Sequence, residues 1–150
     1  MALPIFLAED DPALREQLIQ AMDSICDAKV VATAETEAQA TGWLSRHPHD
    51  WELGVLDLFL RQGTGIGVLR ALNTPQERDR MVVLTNSASA ENRATCLALG
   101  AHAVFDKTLE LEDFLQHCRD CRDRQDRERG GKADERVQDK PEGKPEAKTS

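Results

Sequence analysis

Five short segments of this chain read as strands, most of them nearly continuous apolar runs. They are Leu3–Ala8 (LPIFLA), the valine and alanine stretch around Val30 and Val31, Trp51–Leu58 (WELGVLDL), Met81–Thr85 (MVVLT) and Ala101–Phe105 (AHAVF). A strand solvated on one face alternates apolar and polar residues. A strand covered on both faces reads as a nearly continuous apolar run, which is the mark of a parallel sheet between helices. The intervening segments carry helical signals. Asp11-Pro12 gives an N-cap followed by proline at the first helical position, and Leu14, Leu18, Ile19 and Met22 follow at helical spacing. Thr36 and Gln39 suit a capping box for a helix reaching about Arg46, which Pro48 stops. Gly63, Gly65 and Gly67 punctuate a loop, and Ile66, Leu69 and Leu72 continue it as a short helix. Ser87 or Ser89 caps a helix containing Leu97 and Leu99, with Gly100 where a C′ glycine belongs. Thr108 opens the last helix, where Glu110, Glu112 and Asp113 suit the positive N-terminal end. Leu111, Phe114 and Leu115 supply its inner face.

Five strands alternating with five helices define the expected fold class. It is α/β, a flavodoxin-like (βα)5 three-layer sandwich with a parallel five-stranded sheet in the order 2-1-3-4-5. Residues 1–121 are enough for one such domain with its own core. The remaining segment, 122–150, contains one branched aliphatic residue, Val137, and no aromatic, and its nine Lys/Arg nearly balance its eight Asp/Glu. It cannot bury enough surface to offset the entropy of ordering. The expectation is a charged tail that prolongs the last helix to about Gly130-Gly131 and is disordered beyond, with no room for an output domain.

A net charge of −8 argues against direct nucleic-acid binding, which wants a basic face. No apolar run approaches the ~20 residues of a membrane span. The apolar start, Met1–Ala8, lacks the basic flank of a secretion signal, so a cytoplasmic location is expected. The four cysteines, Cys26, Cys96, Cys118 and Cys121, are then expected as free thiols. Cys118 and Cys121 form a C-x-x-C preceded by His117. A structural zinc site wants a second ligand pair, and none is present. The pair therefore reads as two small residues near the surface of the last helix.

In a parallel α/β sheet, ligands gather at the carboxyl ends of the strands. The first strand ends at Glu9 and Asp10, the third at Asp57, the fourth at Thr85 and the fifth at Lys107. An apolar strand has no structural need for a terminal acid. Clustered carboxylates repel one another and raise one another's pKa. A hard divalent cation such as Mg²⁺ relieves that repulsion through oxygen ligands. With the Lys107 ammonium it can hold a phosphoryl group and neutralise its oxygens during transfer. Asp57, on the middle strand, is best placed as the nucleophile that forms an acyl phosphate. Asp11, also acidic, reads as the helix cap.

The ordered set Ala8-Glu9-Asp10-Asp11-Pro12, Val55-Leu56-Asp57-Leu58 with Gly63 and Gly65 beyond, Val82-Val83-Leu84-Thr85, and Gly100-Ala101 leading to Phe105-Asp106-Lys107 resembles the response-regulator receiver family of two-component signalling. The likeness covers about residues 3 to 120 and is closest to the single-domain, chemotaxis-regulator-like type. It implies Mg²⁺ as cofactor, with Asp10 a direct ligand, Glu9 acting through water, and Asp57 and the backbone carbonyl of Phe59 completing the protein's share. It implies Asp57 as phosphoacceptor, Thr85 as the hydroxyl that moves to the phosphoryl group and Lys107 as its ammonium partner. Asn86, Ser87 and Val104 hold positions that modulate the switch.

Several residues depart from the family pattern. Arg61 stands where a proline is common, and Thr108 replaces the proline after the lysine, which removes the usual reason for a cis bond. Val104 occupies the place of the switch aromatic. Phe105, one step later, points to the opposite face. The bulk of Phe59 is suited to shielding an acyl phosphate. The Gly63-Thr64-Gly65-Ile66-Gly67 run matches neither a dinucleotide fingerprint nor a P-loop and reads as a turn. Trp43 and Trp51 read as packing or rim residues, His47 and His49 as solvated turn residues, and His102 as a packed or edge residue.

The resemblance implies a signalling switch and not an enzyme with turnover. A histidine kinase or phosphotransfer protein donates to Asp57. The added charge then shifts an equilibrium toward an active surface on the fourth helix, fifth strand and fifth helix, read by a downstream target protein. An aspartate-nucleophile phosphatase would need a second Asp two residues after Asp57, where Phe59 stands. A non-phosphorylated receiver-fold scaffold or adaptor is the alternative.

Overall fold

The computed structural model describes residues 2–137, and side-chain surroundings for residues 2–128. Five parallel strands, β1 (Leu3–Ala8), β2 (Ala28–Ala34), β3 (Leu53–Leu56), β4 (Met81–Thr85) and β5 (Ala103–Asp106), pair in the order β2-β1-β3-β4-β5. The doubly wound fold expected from the apolar runs is therefore present. Around the sheet lie α1 (Pro12–Cys26), α2 (Glu37–Arg46), α3 (Gly65–Ala71), α4 (Pro75–Asp79), α5 (Ala90–Ala98) and α6 (Leu111–Val137).

Alternation along each strand divides the core in two. Leu3, Ile5, Leu7, Val55, Val82 and Leu84 face α1 and α6, packing on Leu18, Met22, Phe114, Leu115 and Cys118. Phe6, Ala8, Leu56, Met81, Val83 and Val104 face the other layer, packing on Leu44, Val68, Leu69 and Cys96. Phe105 accordingly turns toward α6, its ring 5.9 Å from that of Phe114. Asp11 caps α1 through Oδ1, which accepts from the amides of Ala13 and Leu14.

Some boundaries differ from the sequence reading. α4 is an additional helix, held by a capping box in which Thr74 and Glu77 bond each other's backbone amides. At Thr36 only half of a box forms: its hydroxyl caps the Gln39 amide, while the Gln39 side chain accepts from Glu35. Ser89, not Ser87, caps α5. Gly100 takes φ +105°, the left-handed conformation expected of a C′ glycine. Thr108 does not open the last helix. It lies in a turn where the Asp106 carboxylate caps the amides of Thr108 and Leu109, and α6 begins at Leu111.

Cys118 and Cys121 are buried, not near the surface, because α6 lays the stripe Phe114, Cys118, Cys121 and Gln125 on the core. The packing of α6 thus continues past Cys121, and Arg122 pairs with Asp27 at the end of α1. The helix passes Gly130-Gly131 and runs to Val137. The disorder expected further on concerns residues 138–150, outside the described residues. His47 is half-buried, its ring stacked 4.6 Å from Trp43. Trp43 in turn stacks on Phe6, and Trp51 is fully buried. Among the described residues no helix is long and apolar enough to cross a membrane.

Candidate functional site

The residues just beyond β1, β3 and β5 are fixed by backbone bonds that extend the ladder one step. The Glu9 amide donates to Ala34 O at 2.9 Å, the Asp57 amide to Ala8 O at 3.0 Å and the Lys107 amide to Thr85 O at 3.0 Å. The sheet itself thereby brings together side chains up to 98 positions apart in the chain. Lys107 Nζ lies 2.6 Å from Glu9 Oε1 and 2.8 Å from Asp57 Oδ2. All three are enclosed: Glu9 is 2% exposed, Asp57 8%, and the Lys107 side chain 10%.

Asp10 completes the group, since Glu9, Asp10 and Asp57 can each offer an oxygen within 4.8 Å of the others. At such a separation two ionised carboxylates repel by about 3 kcal/mol, taking an effective dielectric of ~20. When all are ionised, three carboxylates and one ammonium leave two net negative charges, which is the charge a divalent cation neutralises. The donors are hard oxygens, which suits Mg²⁺ or another ion of that class.

Electrostatics follow from the enclosure. Burial pushes the Glu9 carboxyl above its usual range, while the Lys107 bond and the Asp11 amide at 3.0 Å draw it partly back. Burial alone would lower Lys107, but its bonds to Asp57 and Glu9 more than offset this and hold the ammonium charged. Lys107 thus stands between two carboxylates as their common counter-ion.

The surrounding loops are built for close approach. Gly65, at the start of α3, donates its amide to Leu58 O at 2.8 Å, and a Cβ there would lie 2.4 Å from the Asp57 carbonyl oxygen. The backbone of the β3–α3 loop can therefore run against Asp57 only with glycine at 65. Phe59 bridges to Thr64 and is 56% exposed. Thr85 is buried at the end of β4, and its hydroxyl accepts from the Ser87 amide at 3.1 Å. Asn86 is exposed and accepts from Thr108 at 3.4 Å. Val104 is buried in the opposite layer of the core, so it does not present a side chain to the surface. The structure therefore brings Glu9, Asp10, Asp57 and Lys107 together, while Thr85 ends the neighbouring strand β4 and Phe59 lies two residues beyond Asp57.

Two polar networks near the site were not legible in the sequence. Arg15, one turn into α1, donates to Glu9 O at 2.9 Å and pairs with Glu35, which also pairs with Arg61. Arg93 of α5 donates to the carbonyls of Ala88 and Val104 and pairs with Glu110, tying α5 to β5 and the loop before α6. The only local signal was the placement of Arg15 four residues after the cap Asp11. Nothing in the chain marks Glu35 or Glu110 as its partner's match.

Residues 5–119 match the family described as the response regulator receiver domain. The chain belongs to that family of two-component signalling domains. Among curated relatives it is similar to the acid tolerance regulatory protein ActR of Rhizobium meliloti, 27% identical over 111 residues, 74% of this chain and 55% of the relative. The chain thus spans about half the length of the curated relatives it matches. Among solved structures it resembles a LuxR-family two-component response regulator from Aurantimonas (TM-score 0.69, 21% identity, 77% of this chain and 81% of that one). It also resembles the CheX-CheY-BeF3-Mg complex from Borrelia burgdorferi (0.66, 20%, 76% and 84%). A third likeness is the phosphorylated cyanobacterial phytochrome response regulator RcpA (0.66, 24%, 79% and 90%). At these identities the structures speak to the fold.

Proposed function

We propose that the chain is a phosphorylation switch in which Asp57 accepts a phosphoryl group from a histidine kinase or phosphotransfer protein. The observation that carries this reading is the Lys107 ammonium between Glu9 and Asp57, with Asp10 completing an oxygen cluster. Asp10, Asp57 and the Phe59 carbonyl are the groups that would hold Mg²⁺, with Glu9 reaching it through water. The ion supplies positive charge to the phosphoryl oxygens during transfer. Lys107 engages Asp57 Oδ2 and so leaves Oδ1 for the attack. An Asp57 oxygen forms the new bond to phosphorus as the phosphorus–nitrogen bond of the donor's phosphohistidine breaks, its electron pair remaining on the imidazole. Lys107 stays protonated throughout and pairs with the transferred group. Thr85, one hydrogen bond from the Ser87 amide, is the hydroxyl positioned to follow that group. Asn86, Ser87 and Val104 tune the response.

The output is protein binding. α5, β5 and α6 are the fourth helix, fifth strand and fifth helix of the sequence count once the short α4 is set aside. Together with the turn between β5 and α6 they expose Leu97, Leu109 and Leu111, a surface suited to a downstream target protein. Its net charge of −8 does not favour nucleic acid as the partner, and a cytoplasmic role fits its donors.

The experiment is phosphotransfer from histidine-phosphorylated donor domains to the full chain with and without Mg²⁺. The expected result is Mg²⁺-dependent label on the wild type and none on Asp57→Asn. Partner binding that is identical in wild type and Asp57→Asn, with no transfer from any donor, would establish a constitutive adaptor instead.

A further inference from the structure

β1 lies between β2 and β3 in the sheet, yet the segments that leave β2 and β3 bond to each other. The Arg61 amide donates to Glu35 O at 3.1 Å and the Glu37 amide to Gln62 O at 2.9 Å, and Thr36 bridges to Gln62 in parallel register. The Glu37 carboxylate accepts from the Thr64 amide at 3.0 Å. Gly67 leaves room for that carboxylate, since a Cβ there would lie 2.3 Å from it. Residues 35–37 and 61–64 thus form a short strap past the end of β1, beside the turn that carries Glu9 and Asp10.

Arg15 ties the strap to that turn. Its Nη1 donates to Glu9 O at 2.9 Å and to Glu35 Oε2 at 3.0 Å, while Arg61 Nη1 lies 2.8 Å from Glu35 Oε1. Both carboxylate oxygens of Glu35 are engaged, one by Arg15 and one by Arg61. The Arg15 and Glu35 side chains are only 20% and 30% exposed, so their charge-assisted bond is screened less than that of a free surface pair.

The bond to Glu9 O acts on two carboxylates at once. That oxygen belongs to the peptide unit joining Glu9 to Asp10, and a peptide unit is planar. The Glu9 amide is already held by Ala34 O at 2.9 Å. Holding the oxygen as well fixes the directions in which both Cα atoms project their side chains. Through Glu35 and Arg61 the same guanidinium is connected to the β3–α3 loop, where Phe59 lies.

We propose that Arg15 is a positioning residue for the divalent cation: bridging Glu9 O and Glu35, it sets the spacing between the turn that offers Glu9 and Asp10 and the loop that follows Asp57. The inference rests on the Mg²⁺ reading of the oxygen cluster. A spacing role has the opposite sign to bare charge. Arg15 is a cation beside a cation site, so its charge alone opposes metal binding, and removing only that charge would tighten binding. Losing the bridge loosens the ligand geometry instead. Mg²⁺ demands near-octahedral oxygen ligands, whereas Ca²⁺ accepts a wider range, so a loosened site loses more affinity for Mg²⁺ than for Ca²⁺.

The test titrates the full wild-type chain and Arg15→Gln with Mg²⁺ and with Ca²⁺ by calorimetry, urea unfolding showing that the variant is folded. We expect Arg15→Gln to bind Mg²⁺ at least about tenfold more weakly, the scale of losing a group behind a metal ligand, with a smaller loss for Ca²⁺. Glu35→Ala, which deprives Arg15 of its far anchor, should lower the preference for Mg²⁺ over Ca²⁺ in the same direction. Equal or tighter Mg²⁺ binding by folded Arg15→Gln, or an equal loss for both ions in either variant, overturns the proposal. Phosphoryl transfer is read separately. A wild type that binds Mg²⁺ with these differences but accepts no phosphate overturns the switch and leaves the role of Arg15 standing, while a wild type that binds no Mg²⁺ overturns both.

Discussion

Replacing Lys107 by Met removes the ammonium from between Glu9 and Asp57 and leaves a volume that a thioether fills. Breaking a buried ion pair from one side costs about 3–5 kcal/mol because the remaining charge is stranded. Here the loss has a ceiling, because Glu9 can escape by taking a proton. Protonating a carboxyl of ordinary pKa ~4.3 costs about 3.7 kcal/mol at pH 7 but about 1 kcal/mol at pH 5, at 1.36 kcal/mol per pH unit. The variant is therefore expected to lose about 3 kcal/mol at pH 7 and about 1 kcal/mol at pH 5. The sign follows from linkage. A group whose folded pKa is raised above its unfolded value contributes stability present below the unfolded pKa and lost as pH rises through the folded pKa. Glu9 is already raised by burial, and without Lys107 it is raised further. Urea unfolding of both proteins at the two pH values reads the difference, and saturating Mg²⁺ should restore part of it at pH 7. A loss of equal size at pH 5 and pH 7, or no loss at all, refutes the picture of Lys107 as counter-ion to an enclosed Glu9.

Other perturbations bear on separate parts of the structure. Gly65→Ala forces a Cβ against the Asp57 carbonyl oxygen, so chemical denaturation should show a loss of about 2 kcal/mol together with slower phosphorylation. Phe59→Ala, at an exposed ring, should leave stability within about 0.5 kcal/mol while shortening the phosphoryl lifetime. An unchanged dephosphorylation rate would remove the shielding role. Arg93→Ala cuts the tie between α5, Val104 and Glu110 and should lower the unfolding midpoint at neutral pH. The Arg93 bond holds Glu110 below its usual pKa, so that contribution is present above the unfolded pKa and lost as pH falls through the folded one. The midpoints of wild type and Arg93→Ala should converge in acid.

What could be read from the chain beforehand has a physical boundary. The parallel sheet was legible because strands covered on both faces must be apolar throughout, as in MVVLT. The site was legible because Glu9, Asp10, Asp57 and Lys107 stand at strand ends with no packing reason to be there. The short α4 escaped notice although Thr74-Pro75-Gln76-Glu77 carries a capping box, because a five-residue helix has too few turns to show periodicity. The buried stripe of α6 was hidden by its small and polar members, Cys118, Cys121 and Gln125, which do not announce a core face as leucines would. The Arg15–Glu35–Arg61 and Arg93–Glu110 ties join distant segments, and no local pattern encodes which arginine meets which carboxylate.

Intact mass after incubation with Mg²⁺ and a small phosphodonor addresses the shared pocket most directly. The wild-type chain should gain a single phosphate that hydroxylamine removes, while Asp57→Asn gains none and Asp10→Asn gains it only slowly. A stable phosphate on Asp57→Asn, or no gain by the wild type under any Mg²⁺ concentration, would contradict the assignment of Asp57 as the acceptor.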